Sequence, residues 1–280
     1  MEKVPFYHRA ELLESVKGIA RQAGSVILAI YHEGGYEEYT KTDDTPVTSA
    51  DYASNEVLTK ALAELTPKIP IISEEMAPVN FAQRKLWPCY WLLDPLDGTQ
   101  EFISRSGYFA VNIALVENGC PVLGVIYWPT EDTLYFAVKG RGAFKQTAVG
   151  EVLPIRAQRA QGDCIRVAMS RVQTFNTVTQ FLYDDTKMSF EKYGSCALKS
   201  CFVAEGLADC YLRVGPTGEW DTGAPQIIVE EAGGQILDGE FKPLSYNQRE
   251  SLKNPDFLVL GDSSITWKEI FKPHPTTRHY

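Results

Sequence analysis

The run Trp91-Leu92-Leu93-Asp94-Pro95-Leu96-Asp97-Gly98-Thr99 constrains this chain more than any other segment. An aromatic and aliphatic stretch that wants burial leads straight into two carboxylates, a proline and then Gly-Thr. That order predicts a buried strand delivering acidic side chains to its end, with a helix opening just after. Asp94 and Asp97 can both be ionised at close quarters only with a cation between them. Hard oxygens on short side chains favour Mg²⁺, which keeps waters and shares its shell with a substrate phosphate. Gly98 and Thr99 place bare backbone N–H groups at a helix start, where an anion binds well. The segment predicts metal-assisted phosphate chemistry. The competing reading is an Asx-turn and a helix cap, and the Pro, Gly and Thr around the pair favour the metal over it.

Composition narrows the class. A chain of 280 residues can bury a large core, in one domain or two closely joined ones. Hydrophobic content of 44% beside 22% charged residues is that of a soluble globular protein. No apolar run reaches the length of a membrane span, and Met1-Glu2-Lys3-Val4-Pro5 does not resemble a signal peptide, so a cytosolic protein is expected. Cys89, Cys120, Cys164, Cys196, Cys201 and Cys210 form no C-x-x-C pair and read as small core residues in a reducing compartment. Net charge −9 argues against a nucleic-acid polymer as partner. A small anionic substrate is still permitted, because bound Mg²⁺ reverses the local field. His8, His32, His274 and His279 lie towards the two ends, away from the acidic motifs, so neither a Ser-His-Asp mechanism nor a histidine-bound zinc is supported. Carboxylates are expected to carry the chemistry.

Leu12 to Ile30 follows helical spacing and Gly34-Gly35 ends it. A polar loop with Lys41, Asp43, Asp44 and Pro46 precedes a second helix from Ser49 towards Leu65. Ile69-Pro70-Ile71-Ile72 reads as a short strand ending at Ser73-Glu74-Glu75. Phe109 to Val116, Val122 to Trp128 and Thr133 to Val138 predict an antiparallel meander closed by Gly140-Arg141-Gly142-Ala143. The polar stretch Glu151 to Asp163 is taken as the boundary, dividing an α+β unit (1–150) with most metal ligands from an α/β unit (151–280) that completes the cleft. In the latter, strands are expected at Ile165 to Met169, Asp209 to Val214 and Gln235 to Leu237. Helices are expected at Gln173 to Tyr183, Ser195 to Gly206 and Thr222 to Ala232. That rhythm is the α/β pattern of a layered sheet with helices on its faces.

Each acidic motif has an ordinary explanation beside the functional one. Glu74 is solvated surface taken alone, and a third ligand beside Asp94 and Asp97. Asp221, in Trp220-Asp221-Thr222-Gly223, is by default a helix N-cap, a position that also aims its carboxylate into a shared cleft. Asp51 lies in the first turn of the second helix, where the helix dipole alone would explain it. Lys199 and Arg213 are equally salt-bridge partners or phosphate contacts.

Taken in order, Ser73-Glu74-Glu75, Asp94-Pro95-Leu96-Asp97-Gly98-Thr99 and Trp220-Asp221 resemble the lithium-sensitive, Mg²⁺-dependent phosphatases of the inositol monophosphatase superfamily. Lys41 to Asp51, Gly194 to Asp209 and Pro243 to Phe257 resemble its 3′(2′),5′-bisphosphate nucleotidase branch. The resemblance implies an αβαβα sandwich of the inositol monophosphatase/fructose-1,6-bisphosphatase type with two or three Mg²⁺ ions. By similarity, Glu74, Asp94, Asp97, Asp221 and the Leu96 carbonyl hold the metals, while Asp51 and Thr99 orient or deprotonate a water near Glu74. Gly98 and Thr99 receive phosphate oxygens, and Ser195, Lys199 and Arg213 line the nucleotide side. Two positions depart from the branch: Gln100 stands where lysine is frequent, and Gln173 where histidine is. The implied reaction is hydrolysis of the 3′-phosphate of adenosine 3′,5′-bisphosphate, and of 3′-phosphoadenylyl sulfate, within sulfur-assimilation nucleotide recycling. An inositol or sugar-phosphate phosphatase and a non-catalytic nucleotide sensor are the alternatives. Attachment to the inner face of the cell membrane and the oligomeric state are left open.

Overall fold

The computed structural model describes residues 6–41, 46–158, 164–183 and 187–274. Met1 to Pro5, Asp43, Asp44, Thr45, His279 and the 159–163 end of the expected boundary segment lie outside them. Helix α1 (Phe6–Glu33) buries Val16, Ile19, Ala20, Ala23 and Ile27 at helical spacing. It ends where Gly34 turns left-handed at φ 71°. A short hairpin, β1 (Glu38–Thr40) and β2 (Pro46–Thr48), feeds α2 (Ser49–Leu65), whose start is a capping box between Thr48 and Asp51.

Both helices cover one face of a seven-stranded sheet with strands in chain order. Its members are β3 (Ile71–Ser73), β4 (Cys89–Asp97), β5 (Ala110–Glu117), β6 (Cys120–Trp128), β7 (Thr133–Val138), β8 (Ala143–Gln146) and β9 (Val152–Ile155). Only β3 and β4 pair in parallel; every other neighbouring pair is antiparallel. Two short helices flank β4: α3 (Phe81–Arg84) before it and α4 (Thr99–Ile103) after it. The meander expected from the sequence runs two strands further than Gly140 to Ala143. β9 escapes a pattern reading because it is an edge strand on which only Ile155 is buried, so no apolar alternation marks it.

The remainder builds a five-stranded sheet from β10 (Ile165–Ser170), β11 (Met188–Tyr193), β12 (Cys210–Arg213), β13 (Gln235–Asp238) and β14 (Phe257–Leu260), ordered β11-β10-β12-β14-β13. Its helices are α5 (Phe175–Thr179), α6 (Cys196–Ala204), α7 (Trp220–Glu231) and α8 (Trp267–Ile270). The helix expected over Gln173 to Tyr183 is only α5, because Val172 and Phe175 face solvent and Val178 alone in α5 is buried. β11 and β14 carry no pattern in the sequence: β11 is a half-exposed edge, and β14 is four unbroken apolar residues with no period.

α6 and α7 lie between the sheets. Leu92, Ala114 and Ile126 of the first sheet, Phe202 and Ile227 of the helices, and Tyr211, Ile236 and Val259 of the second share one core. A second core joins Trp91, Leu93 and Ile113 to α1 and α2, and a third joins Val167, Leu212 and Leu258 to Val178, Trp267 and Phe271. The layering is αβαβα, the sandwich expected above. α7 approaches the first sheet closely because glycines face it. A Cβ on Gly124 would meet Ile227 Cγ2 at 2.5 Å and the Ala224 carbonyl oxygen at 2.8 Å. Gly124→Ala is therefore expected to push α7 outward and to cost about 1–3 kcal/mol, read as a lower urea midpoint. An unchanged midpoint would show that α7 has slack there.

Candidate active site

The first sheet's irregularity creates the site. Asp94 pairs with Asn112 and Asp97 with Ala110, so β4 spends one more residue than β5 over this interval. On a regular strand Asp94 and Asp97 would point to opposite faces. The extra residue is a β-bulge, which turns both carboxylates to the face that α6 and α7 cover. Pro95, without an N–H, is tolerated there because a bulge needs no ladder bond at every position. Ser54 of α2 fixes the bulge by donating to the Pro95 carbonyl at 2.7 Å. Gly98 follows at φ 97°, and a Cβ there would come within 3.0 Å of the Tyr108 carbonyl.

Asp94, Asp97 and Asp221 each place a carboxylate oxygen within 4.8 Å of the others. Asp94 Oδ1 accepts the Leu96 N–H at 3.1 Å, so the Asx-turn exists alongside the cluster, and its buried Oδ2 has no partner. Asp97 caps a helix, though not the one that follows it. Its oxygens accept the N–H of Cys196 at 3.2 Å and of Ala197 at 2.7 Å, at the start of α6, with the Ser195 hydroxyl as a further donor. Asp221 is not the N-cap of α7; Glu219 holds that place, and Asp221, in the first turn, accepts the Gly218 N–H at 2.6 Å. Burial, then the charges of Glu74, Asp97 and Asp221, raises the Asp94 carboxyl well above the ordinary range. Burial, then Asp97 and Glu74, raises that of Asp221. A divalent cation fits here: it would supply the missing partner of Asp94 Oδ2 and relieve the repulsion, and an all-oxygen donor set suits a hard ion.

Glu74, expected as a further ligand, is not part of this triple, though its charge acts on Asp94 and Asp221. Lys41 reaches its Oε1 at 2.7 Å and Glu75 Oε1 at 2.6 Å. The sequence gives Lys41 and Glu75 no role of their own, because their meeting spans more than thirty positions. Asp51 is 1% exposed. Its Oδ2 accepts the Thr48 N–H and hydroxyl, each at 2.7 Å, and its Oδ1 accepts the Thr99 hydroxyl at 2.9 Å. Burial raises its pKa against those hydrogen bonds. The dipole position and a link to Thr99 thus coexist.

On the second-sheet side, Ser195 caps α6 by accepting the Leu198 N–H at 3.0 Å. Lys199 is 2% exposed, with its ammonium 4.9 Å from the centre of the Tyr211 ring and donating to the Ser195 carbonyl. Burial pulls its pKa down to about 8. Arg213 donates to the Pro216 carbonyl at 3.0 Å. Among the described residues, neither cation forms a salt bridge with a carboxylate. Gln173 is buried and donates to the Val214 carbonyl at 3.3 Å, while Gln100 is exposed. Glu219, unremarked in the sequence, is fully buried. It receives the Asn247 N–H at 2.7 Å and Arg249 at 3.2 Å, anchoring the start of α7 that carries Asp221.

Known proteins resemble this chain over nearly its whole length. The description of the inositol monophosphatase family matches residues 8–262. The 3′(2′),5′-bisphosphate nucleotidase CysQ of Aggregatibacter actinomycetemcomitans is 42% identical over 261 residues, covering 93% of this chain and 96% of its own. Its Salmonella typhimurium counterpart is 43% identical over 249 residues, covering 89% of this chain and 99% of its own. The crystal structure of CysQ from Bacteroides thetaiotaomicron, a bacterial member of the inositol monophosphatase family, matches with a TM-score of 0.78 and 36% identity. It covers 92% of this chain and 99% of that one.

Proposed function

The chain belongs to the inositol monophosphatase family, and from that premise we propose that it is a 3′(2′),5′-bisphosphate nucleotidase acting in sulfur-assimilation nucleotide recycling. It hydrolyses the 3′-phosphate of adenosine 3′,5′-bisphosphate to AMP and phosphate, and also acts on 3′-phosphoadenylyl sulfate. The observation that carries the substrate is the likeness to enzymes named for that activity, which extends over 96% of the Aggregatibacter protein. The carboxylate triple supports the reaction type.

In this reading Glu74, Asp94, Asp97, Asp221 and the Leu96 carbonyl hold two or three Mg²⁺. Bound Mg²⁺ supplies Lewis-acid activation of water and neutralises charge on the leaving oxygen. Asp51, whose carboxyl burial makes more basic, draws the proton of the attacking water through the Thr99 hydroxyl 2.9 Å away. The water oxygen bonds to phosphorus as the phosphorus–oxygen bond to the ribose breaks, and the leaving oxygen takes a proton from a second water to become the 3′-hydroxyl. Backbone N–H groups of Gly98 and Thr99 hold the phosphate oxygens. Ser195, Lys199 and Arg213 line the nucleotide side, where extra positive charge favours a second phosphate over an inositol ring. All six cysteines are free; Cys89, Cys196, Cys201 and Cys210 are buried as expected, whereas Cys120 and Cys164 are exposed. No helix among the described residues is long and apolar enough to cross a membrane, and a cytoplasmic setting is part of this proposal.

The test compares phosphate release from adenosine 3′,5′-bisphosphate and from inositol monophosphate at equal concentration. The expected result is preference for the nucleotide, dependence on Mg²⁺, loss in EDTA, and inhibition by lithium. Preference for inositol phosphate would move the chain to the other branch, and tight nucleotide binding without turnover would make it a sensor.

A further inference from the structure

Asn112 is the third residue of β5 and is 1% exposed, yet neither Oδ1 nor Nδ2 of its amide has a hydrogen-bond partner. Across the β4–β5 ladder it faces Asp94, whose Oδ2 is likewise buried and unpartnered. Directly opposed residues of an antiparallel pair project to the same face, with Cβ atoms roughly 4.5–5.5 Å apart. That face is the one α7 covers: the adjacent pair, Leu92 and Ala114, lies against Gly223, where an added Cβ would come within 2.9 Å of Leu92 and 3.2 Å of Ala114. Asp221, two residues earlier on α7, is already within the carboxylate triple. The i±2 residues of β5 and the β6 residue opposite Asn112 on this face are Ala110, Ala114 and Ile126, none with a side-chain polar atom to offer. A buried amide in apolar company is costly unless something pairs with it, and a leucine of similar shape would avoid that cost.

We propose that Asn112 is a positioning residue of the cation site, hydrogen-bonding the waters that a bound divalent cation retains beside Asp94 Oδ2. The inference rests on the phosphatase reading above. An amide offers both an acceptor and a donor, which suits a water that must keep one lone pair on the ion and give its protons elsewhere. Mg²⁺ keeps several of its waters when protein carboxylates bind it. Groups that hold such outer contacts set metal affinity over about 10–100-fold.

The decisive experiment is calorimetric titration of the intact protein with Mg²⁺ alone, without substrate, for wild type and Asn112→Leu, with thermal melts of both in EDTA. Asn112→Leu is expected to bind Mg²⁺ about 10–100-fold more weakly, while its melting temperature in EDTA is unchanged or higher. Equal affinity, or a lower melting temperature in EDTA, would assign Asn112 to packing and overturn the proposal. Should leucine prevent folding, Asn112→Ala takes its place: weaker Mg²⁺ binding supports the proposal and wild-type affinity overturns it. Failure of wild type itself to bind Mg²⁺ would instead remove the phosphatase reading.

Discussion

Asp94→Asn is expected to lower kcat/KM for phosphate release by about 10³-fold while raising the melting temperature of the protein in EDTA. A cation at the triple is worth several kcal/mol to a transition state that gathers negative charge, and each ~1.36 kcal/mol is tenfold in rate. Asparagine can still accept the Leu96 N–H through its one oxygen, so the turn at the bulge survives. What it loses is Oδ2, the buried atom without a partner that the proposal turns towards a cation. The same change removes a buried group whose ionised form is opposed by burial and by Glu74, Asp97 and Asp221. Function and stability therefore move in opposite directions, as they do where an active site is assembled against local preference. Steady-state kinetics beside thermal melts check both arms. Activity persisting in Asp94→Asn would remove the metal mechanism, and a lower melting temperature in EDTA would mean the carboxylate serves the fold.

The second large effect links pH, cation and stability. The carboxyls of Asp94 and Asp221 have folded pKa values above the unfolded aspartate value, about 8 in the case of Asp221. Between the two values the folded state binds more protons than the unfolded one, so stability falls as pH rises. In EDTA the loss should begin above about pH 4, the unfolded aspartate range, and continue through the folded value of Asp221. Mg²⁺ at a hundred times its dissociation constant adds about 2.7 kcal/mol, which at ~2–4 °C per kcal/mol raises Tm by roughly 5–10 °C. Its effect should be greatest at the alkaline end, where protons no longer relieve the cluster. Melting curves across pH with EDTA or Mg²⁺ measure this. An EDTA profile without slope would show that the two carboxyls titrate as ordinary ones.

What could be read from the sequence was what short-range order encodes. The bounds of α2 are legible because the acidic first turn at Asp51 and the strand signal around Pro70 are local. Asp94 and Asp97 stood out because apolar residues led into them, but their shared face depends on a register shift against β5 that no count along β4 reveals. Pro95 was the one hint. The capping role of Asp97 joins residues 98 positions apart or more, so the sequence, which offers a helix cap as the alternative to a metal, does not show which helix is capped. β9 and β11 were invisible because edge strands need bury little, and α5 was overextended because helical spacing of apolar residues does not require them to be buried. Orphaned atoms such as the Asn112 amide are a property of three-dimensional surroundings alone.

The bonds from Ser195, Cys196 and Ala197 to Asp97 have a consequence for how such a chain can be altered. The carboxylate belongs to the first half and the donors to the second, so neither half carries a finished part at the seam. A chimera that kept 1–150 and borrowed the remainder from a distant relative would inherit a helix start shaped for someone else's aspartate. A mismatch of an ångström would be felt by the carboxylate triple and by the seam at once. The two sheets can be told apart by eye, but they are not exchangeable modules; recombination has to carry both sides of that joint together.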